Sequence, residues 1–158
     1  MTDERRTTGR RIRREILGDA HVDRAEAATT PFSAPFQDFI TRTAWGDVWA
    51  RPGLDRRTRS AITLAMLTAL RAEGEIALHV RAALRNGLTA DEIGEVLLQA
   101  AVYAGVPAAN AAFGIAQKTL ADAGITDASI PDAGMAPPTP PADPPTSPPR
   151  RTRKERPR

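Results

Sequence analysis

A glutamate and a histidine one helical turn apart have residue types and a spacing that could do chemistry. They are Glu75 and His79, in the stretch EIALHVRAALRNG. In a helix these side chains are neighbours, and a carboxylate beside an imidazole raises its pKa and fixes its tautomer. Such a pair suits a general acid working near neutral pH, whereas an ordinary surface pair contributes only about 0.3 to 0.5 kcal/mol to stability. Spacing alone favours the surface pair, because such pairs are common on helices.

Other polar and aromatic residues allow two interpretations each. Three arginines cluster at Arg56, Arg57 and Arg59, where a helix is predicted to begin, so that they are either solvated or include one that binds an anion. Tyr103 precedes a tight corner, where a tyrosine is more often a packing residue, although its hydroxyl could reach a pocket. Trp45 is one turn from a second tryptophan, a spacing typical of core packing or a subunit contact.

Several classes of chemistry lack the residues they need. The chain has no cysteine, which excludes disulfides, thiolate nucleophiles and CxxC redox centres. The two histidines lie far apart with scattered carboxylates, so no metal-ligand spacing is present, and the glycines form no phosphate-binding loop. No apolar run is long enough to span a bilayer, and the charged N-terminal stretch lacks the apolar core of a signal peptide. We therefore expect a cytoplasmic protein without a metal, a cofactor or a membrane span.

The positive charge of the chain lies in a proline-rich tail. The formal net charge is +3, and residues 136–158 carry six basic and two acidic groups, net +4. The other 135 residues hold 16 basic and 17 acidic groups, net −1, which argues against a nucleic-acid-binding face on the domain itself. Ten of the fourteen prolines lie at or beyond Pro131, so we interpret residues 131–158 as a disordered extension. A polyproline ligand or a basic nucleic-acid arm is the alternative.

The rest of the chain predicts one all-α domain, residues 1–130, with an N-terminal arm at about 1–30. Hydrophobic residues make up 41% of the sequence but aromatic residues only 4%, which favours closely packed helices. The periodicity and the turn residues predict a bundle of about six helices. These are Arg10–Leu17, a helix opened by Pro35, a helix from Arg56 to about Ala72, one from about Glu73 to Arg85, one that ends near Ala104, and one from Pro107 to Gly124.

Two of these helices carry especially clear signals. Thr89 and Glu92 have the spacing of a capping box, and Leu88 with Ile93 has the spacing of a hydrophobic staple. The segment AITLAMLTAL, in the helix that begins at Arg56, is apolar nearly all round. That pattern is typical of a central helix buried on every side.

Three segments, GDAHVDRA, AWGDVWARPGLDRRTRSAITLAMLTAL and LHVRAALRNGLTADEIGEVLLQAAVYAGVPAANAAF, agree in order and spacing with one known family. Over about residues 10 to 123 the chain resembles the carboxymuconolactone decarboxylases. The resemblance implies a helical fold that assembles into a ring, usually a homohexamer, without cofactor or metal. The thiol-peroxidase branch of this fold carries CxxC where this sequence has Ala72 and Glu75, and His79 occupies the matching histidine position. Thiol-based peroxidase chemistry is therefore excluded, and because Ser60 stands near the position of that branch's proton-relay glutamate, the relay is absent as well.

The reaction implied by this resemblance is the cofactor-free decarboxylation of 4-carboxymuconolactone, an unsaturated lactone with two carboxylates. The product would be 3-oxoadipate enol-lactone, in the protocatechuate branch of the β-ketoadipate pathway. Loss of CO₂ pushes electrons onto the lactone carbonyl and gives a dienolate, which is then protonated on carbon. We predict His79 as the proton donor or oxyanion partner, Glu75 as the group that orients it, and His21 as the second catalytic candidate. For His21, a segment that closes over a pocket and an exposed N-terminal histidine are both open.

The substrate-binding residues are predicted from the same resemblance. Arg59 or Arg81 would bind the side-chain carboxylate, because a guanidinium binds carboxylates bidentately. Arg81 lies on a different face of its helix from His79, so it would serve a pocket only if a neighbouring subunit contributed. Trp45 and Tyr103 are predicted as pocket walls.

Three alternatives to this reaction are open. The chain could be a decarboxylase or hydrolase of a related lactone, or a non-catalytic oligomeric scaffold with the same fold. It could also associate with nucleic acid through its basic tail, which predicts salt-dependent binding that is lost when residues 136–158 are deleted.

Overall fold

The computed structural model describes residues 3–125, in which the chain forms seven α-helices and one π-helix without a strand. The prediction of an all-α bundle is confirmed, and the predicted tail lies outside the described range. None of the helices in residues 3–125 combines the length and apolar character needed to cross a membrane. The helices are α1 Glu4–Leu17, α2 Asp19–Ala27, α3 Ala34–Ile40, the π-helix Thr41–Trp49, α4 Arg56–Ala69, α5 Glu73–Arg85, α6 Ala90–Ala104 and α7 Val106–Asp122.

The N-terminal region forms a helical pair rather than the single short helix that was predicted. α1 begins at Glu4, where the side chain of Asp3 caps the backbone N–H of Arg5 at 3.2 Å. Gly18, with φ +87°, ends α1, and α2 starts directly after it. Ion pairs from Arg14 to three carboxylates of α2 hold the pair together, at 3.0 Å to Asp19, 2.5 Å to Asp23 and 3.2 Å to Glu26.

α1 packs closely on the π-helix because two glycines leave room for backbone contact. A Cβ on Gly9 would overlap the carbonyl oxygen of Thr41, and one on Gly46 would overlap that of Arg5. The predicted single helix after Pro35 is therefore divided, with α3 leading directly into the π-helix. This interface buries one of the two apolar clusters of the structure, formed by Ile12, Ile16, Leu17, Val22, Trp45 and Ala82.

The second apolar cluster joins α4, α5, α6 and α7. The bounds predicted for α5 and the C-terminus predicted for α6 are confirmed. The predicted capping box is present, since the Glu92 backbone N–H donates to the Thr89 hydroxyl at 3.2 Å and the Thr89 N–H donates to the Glu92 carboxylate at 2.9 Å. Leu88 and Ile93 are both buried in this cluster, as the staple requires.

The prediction that α4 is buried on every side is wrong for the single chain. Only Ser60, Leu64 and Thr68 are buried along it, which is one face of a helix. Leu70, by contrast, is 77% exposed, and Ile62 and Met66 on the same side are also exposed. α4 therefore presents an apolar face that the single chain does not cover.

Candidate functional site

A cleft of about 320 Å³ lies between α5 and the corner that joins α1 to α2. Its walls include His21 and Arg24 from α2, with Leu78 and Arg81 from α5. Arg85 completes the wall and donates from Nη1 to the carbonyl oxygen of Leu17 at 3.0 Å, which ties α5 to the end of α1. The cleft therefore joins a histidine and arginines from segments about sixty residues apart in the sequence.

His21 is the electrostatic centre of this cleft. Burial lowers its pKa below the ordinary 6.5, and the positive charges of Arg13, Arg24 and Arg81 lower it further. The carboxylate of Glu75 opposes them. Burial and three arginines, opposed by one glutamate, therefore favour the neutral imidazole at physiological pH. The sequence left open whether His21 belongs to a segment over a pocket or is an exposed N-terminal histidine. Its place in the wall of the cleft favours the first interpretation.

The predicted pair Glu75 and His79 lies on α5, but neither residue is among those that line the cleft. The pKa of His79 also runs against the prediction. Burial lowers this pKa below 6.5, Glu75 raises it, and His21 lowers it again. The sequence predicted a raised pKa from the carboxylate alone; the direction of that contribution was right, but desolvation outweighs it. No hydrogen bond joins Glu75 to His79 in residues 3–125, so that their interaction is through space.

The structure separates the two predicted substrate-binding arginines. Arg81 lines the cleft beside His21 within one chain, so the expectation that it needs a neighbouring subunit is wrong. The reason is that His21 and Arg24 of α2 line the same cleft as that face of α5. Arg59 is not a wall of the cleft, and its Nη2 donates to the carbonyl oxygen of Arg51 at 3.1 Å.

Neither predicted aromatic wall lines the cleft. Trp45 is buried in the cluster beneath α1, where its ring lies 5.3 Å from that of Trp49 in a tilted arrangement. Tyr103 is 82% exposed near the end of α6. Trp45 is therefore a packing residue of the core, which was the alternative to a pocket wall. Tyr103 belongs to an uncovered surface.

One functional candidate escaped the sequence analysis. Arg13 is the sole charged residue buried within residues 3–125, with 6% of its surface exposed. The sequence did contain a pattern that could have identified it. Arg13 falls on one helical face with other residues of α1, and all of this face is buried: Gly9, Ile12, Arg13, Ile16 and Leu17. The four arginines of GRRIRRE hid the one that falls on the apolar face. In this part of the chain, no three or more potential metal ligands lie together.

Comparison with known proteins places the sequence among decarboxylases. The model of the carboxymuconolactone decarboxylase family matches residues 34–118. The chain is 46% identical over 131 residues to 4-carboxymuconolactone decarboxylase from Acinetobacter baylyi, covering 82% of this chain and 98% of the relative. It is also 46% identical over 114 residues to nitrosuccinic acid decarboxylase from Metarhizium robertsii, covering 72% and 80%. A 4-carboxymuconolactone decarboxylase from Pseudomonas putida is 48% identical over 44 residues, 28% of this chain and 92% of the relative.

The charges around the two imidazoles predict how their pKa values respond to substitution. Glu75→Gln removes a carboxylate that raises the pKa of both His79 and His21, so both values should fall further. NMR titration of the imidazole resonances measures them directly. Glu73→Gln is the matched control, because Glu73 is exposed on the same helix and contributes to neither shift. A raised pKa in the wild type, or no response to Glu75→Gln, would contradict this electrostatic description.

Proposed function

The chain belongs to the carboxymuconolactone decarboxylase family, and from this premise we propose that it is an enzyme that decarboxylates 4-carboxymuconolactone. The product is 3-oxoadipate enol-lactone. Similarity over 98% of the length of a 4-carboxymuconolactone decarboxylase supports this reaction. The observation that carries the mechanism is that His21, Arg24 and Arg81 line one cleft, while Glu75 and His79 lie on the same helix as Arg81 and Glu75 acts on the pKa of both imidazoles. An excess of positive charge suits a dianionic substrate.

The setting we propose is the cytoplasm, within the protocatechuate branch of the β-ketoadipate pathway. Substrate and product are both carboxylates at neutral pH, and ionised carboxylates do not enter a bilayer readily. An enzyme that acts between two such compounds therefore works in the compartment where they are made and consumed.

The substrate supplies its own electron sink. The carboxylate that departs is attached to the ring carbon that is vinylogous to the lactone carbonyl. When its C–C bond breaks, the electron pair moves through the ring double bond onto the carbonyl oxygen, and CO₂ leaves as a neutral molecule. The resulting dienolate takes one proton on the carbon next to the carbonyl. The protein must stabilise the oxyanion and deliver that proton.

The different surroundings of the two histidines suggest different tasks. Burial and three arginines hold the pKa of His21 down, so His21 stays neutral and its N–H can donate a hydrogen bond to the oxyanion. His79 has Glu75 as its principal charged neighbour, whose carboxylate favours the protonated form. We therefore assign His79 as the proton donor, with Glu75 as the residue that supports its protonated state.

A neutral His79 has to acquire the proton that it delivers. Burial keeps it unprotonated in the free protein, since no adjacent charge fully offsets desolvation. A bound dianion brings negative charge into the cleft and raises the pKa of an imidazole near it. Substrate binding is therefore coupled to proton uptake. His79 becomes charged only when a bound substrate is present to form the dienolate that takes its proton.

Nitrosuccinate is the second candidate substrate, favoured by the identity to the Metarhizium robertsii enzyme. It has the same two features, a departing carboxylate next to an electron-accepting group and a second carboxylate one methylene away. The nitro group would accept the electron pair as a nitronate, which then takes a proton on carbon. The same positive cleft and the same donor would serve both reactions.

Purified protein should turn over 4-carboxymuconolactone without added metal or cofactor, as followed by its ultraviolet absorbance and by CO₂ release. His79→Ala should lower kcat by about 10² to 10⁴, the usual contribution of a positioned acid. Glu75→Gln should lower kcat less, because it leaves the imidazole in place. Glu73→Gln is the control for a charge lost from the same exposed turn.

Two results would overturn parts of this proposal. If the wild type released CO₂ from nitrosuccinate and none from 4-carboxymuconolactone, the proposed substrate would be wrong, but the proposed decarboxylation mechanism would still apply. If correctly folded His79→Ala kept activity within a few-fold of the wild type, His79 would not be the donor.

We further propose that the chain assembles into a homo-oligomeric ring, with a hexamer as the size given by the family resemblance. Apolar side chains cover the exposed face of α4, and more line α6 and the start of α7, where Val102 is 75% and Val106 is 72% exposed. Contiguous exposed apolar surface on a folded chain usually marks a contact site. Two different apolar faces favour head-to-tail contacts, which close into a ring.

Sedimentation equilibrium tests the assembly. The wild type should sediment at about six times the 17.0 kDa of one chain. Leu70→Glu places a charge in the proposed interface and should shift the protein toward smaller species. Ala27→Glu, at an exposed position on α2, is the control and should leave the mass unchanged. A wild type that sediments as a single chain would contradict the ring.

A further inference from the structure

A groove of about 870 Å³ runs along α1, bounded by α2 on one side and α3 on the other. It meets the cleft of His21 at the corner between α1 and α2, where Asp19 lines both. Five arginines line this groove, all from α1: Arg6, Arg10, Arg11, Arg13 and Arg14. Four carboxylates line it as well, those of Glu15, Asp19, Glu26 and Asp38, and the groove adjoins the proposed active site.

Four of these five arginines already have a carboxylate partner. The remaining one, Arg13, has none in the part of the chain that the structure describes. The pairs are Arg6 with Asp38 at 3.4 Å, Arg10 with Glu26 at 2.7 Å, Arg11 with Glu15 at 2.8 Å, and Arg14 with Asp19, Asp23 and Glu26.

The charge of Arg13 is therefore buried and unbalanced. Its Nη1 donates to the neutral amide oxygen of Gln37 at 3.0 Å, and its buried Nε has no acceptor among residues 3–125. Glu26 is the nearest opposing charge, but both of its carboxylate oxygens accept hydrogen bonds from other arginines. A buried cation without a counter-ion is costly, and such charges are normally paired or bind a ligand.

We propose that Arg13 binds the carboxylate that the substrate keeps through the reaction, with Gln37 holding the guanidinium in place. This inference rests on the proposed decarboxylase function and adds a residue to it. The Nε of Arg13 is a buried donor without an acceptor among residues 3–125, and a guanidinium edge offers the planar pair of donors that a carboxylate accepts. Arg13 lines the groove that meets the cleft at Asp19, and its positive charge acts on His21.

The chemistry selects the retained carboxylate over the departing one. An arginine bound to the departing carboxylate would stabilise the ground state, in which that group is charged, and would raise the barrier to losing CO₂. An arginine bound to the retained carboxylate contributes equally before and after the bond breaks. In 4-carboxymuconolactone and in nitrosuccinate alike, the retained carboxylate is joined by one methylene to the carbon that loses CO₂. One anchor would therefore position both substrates.

Muconolactone is a suitable binding probe, because it keeps the carboxymethyl group and has hydrogen in place of the departing carboxylate. Calorimetric titration should show that Arg13→Met weakens its binding at least tenfold. Arg13→Lys should give an intermediate affinity, because an ammonium keeps the charge but loses the planar fork. Arg11→Met is the matched control, since Arg11 lines the same groove, is exposed and is paired with Glu15. It should bind muconolactone as the wild type does.

A thermal melt separates substrate binding from a structural role. Arg13→Met removes an unbalanced buried charge, so its melting temperature should equal or exceed that of the wild type while KM for 4-carboxymuconolactone rises at least tenfold. A lower melting temperature with unchanged KM and unchanged muconolactone affinity would overturn the proposal, as would unchanged affinity in Arg13→Lys. Absence of wild-type turnover, with muconolactone binding that still depends on Arg13, would instead overturn the proposed reaction and leave the carboxylate site standing.

Discussion

The positive charge collected around His21 without matching negative charge is the constraint on which the rest of the site depends. Arg13, Arg24 and Arg81 come from three different helices and act on the same imidazole. Burial and these charges lower the pKa of His21, with the carboxylate of Glu75 opposing them, whereas the pKa of His79 is lowered by burial and by His21. An anionic ligand would balance this positive charge. Substrate binding, proton uptake and carboxylate anchoring all follow from that one imbalance.

The fold creates this imbalance by forcing α1 against the π-helix. Gly9 and Gly46 allow the two backbones to touch, and Ile12 and Ile16 then enter the apolar cluster around Trp45. Arg13 follows Ile12 in the sequence, so burial of that face carries the arginine inward. The free energy gained by burying the apolar neighbours thus offsets the cost of desolvating the guanidinium.

Sequence patterns predicted the parts of this structure that depend on local interactions. The capping box at Thr89 and Glu92 fixed the start of α6, and the bounds of α5 followed from periodicity, since both signals lie within a few residues. The second helix of the N-terminal pair was missed, because Gly18 ends one helix and immediately precedes another. The pKa of His79 was predicted in the wrong direction, since a neighbour four residues away is visible in the sequence and burial by other helices is not.

The pH dependence of the steady-state constants tests most directly whether substrate binding brings the proton. In the free protein the pKa of His79 lies below 6.5, so kcat/KM should fall as pH rises through a value below 6.5. In the complex the bound carboxylates raise that pKa, so kcat should fall only at a distinctly higher pH. If kcat and kcat/KM fell at the same pH, or if kcat/KM rose with pH through this range, substrate binding would not bring the proton to His79.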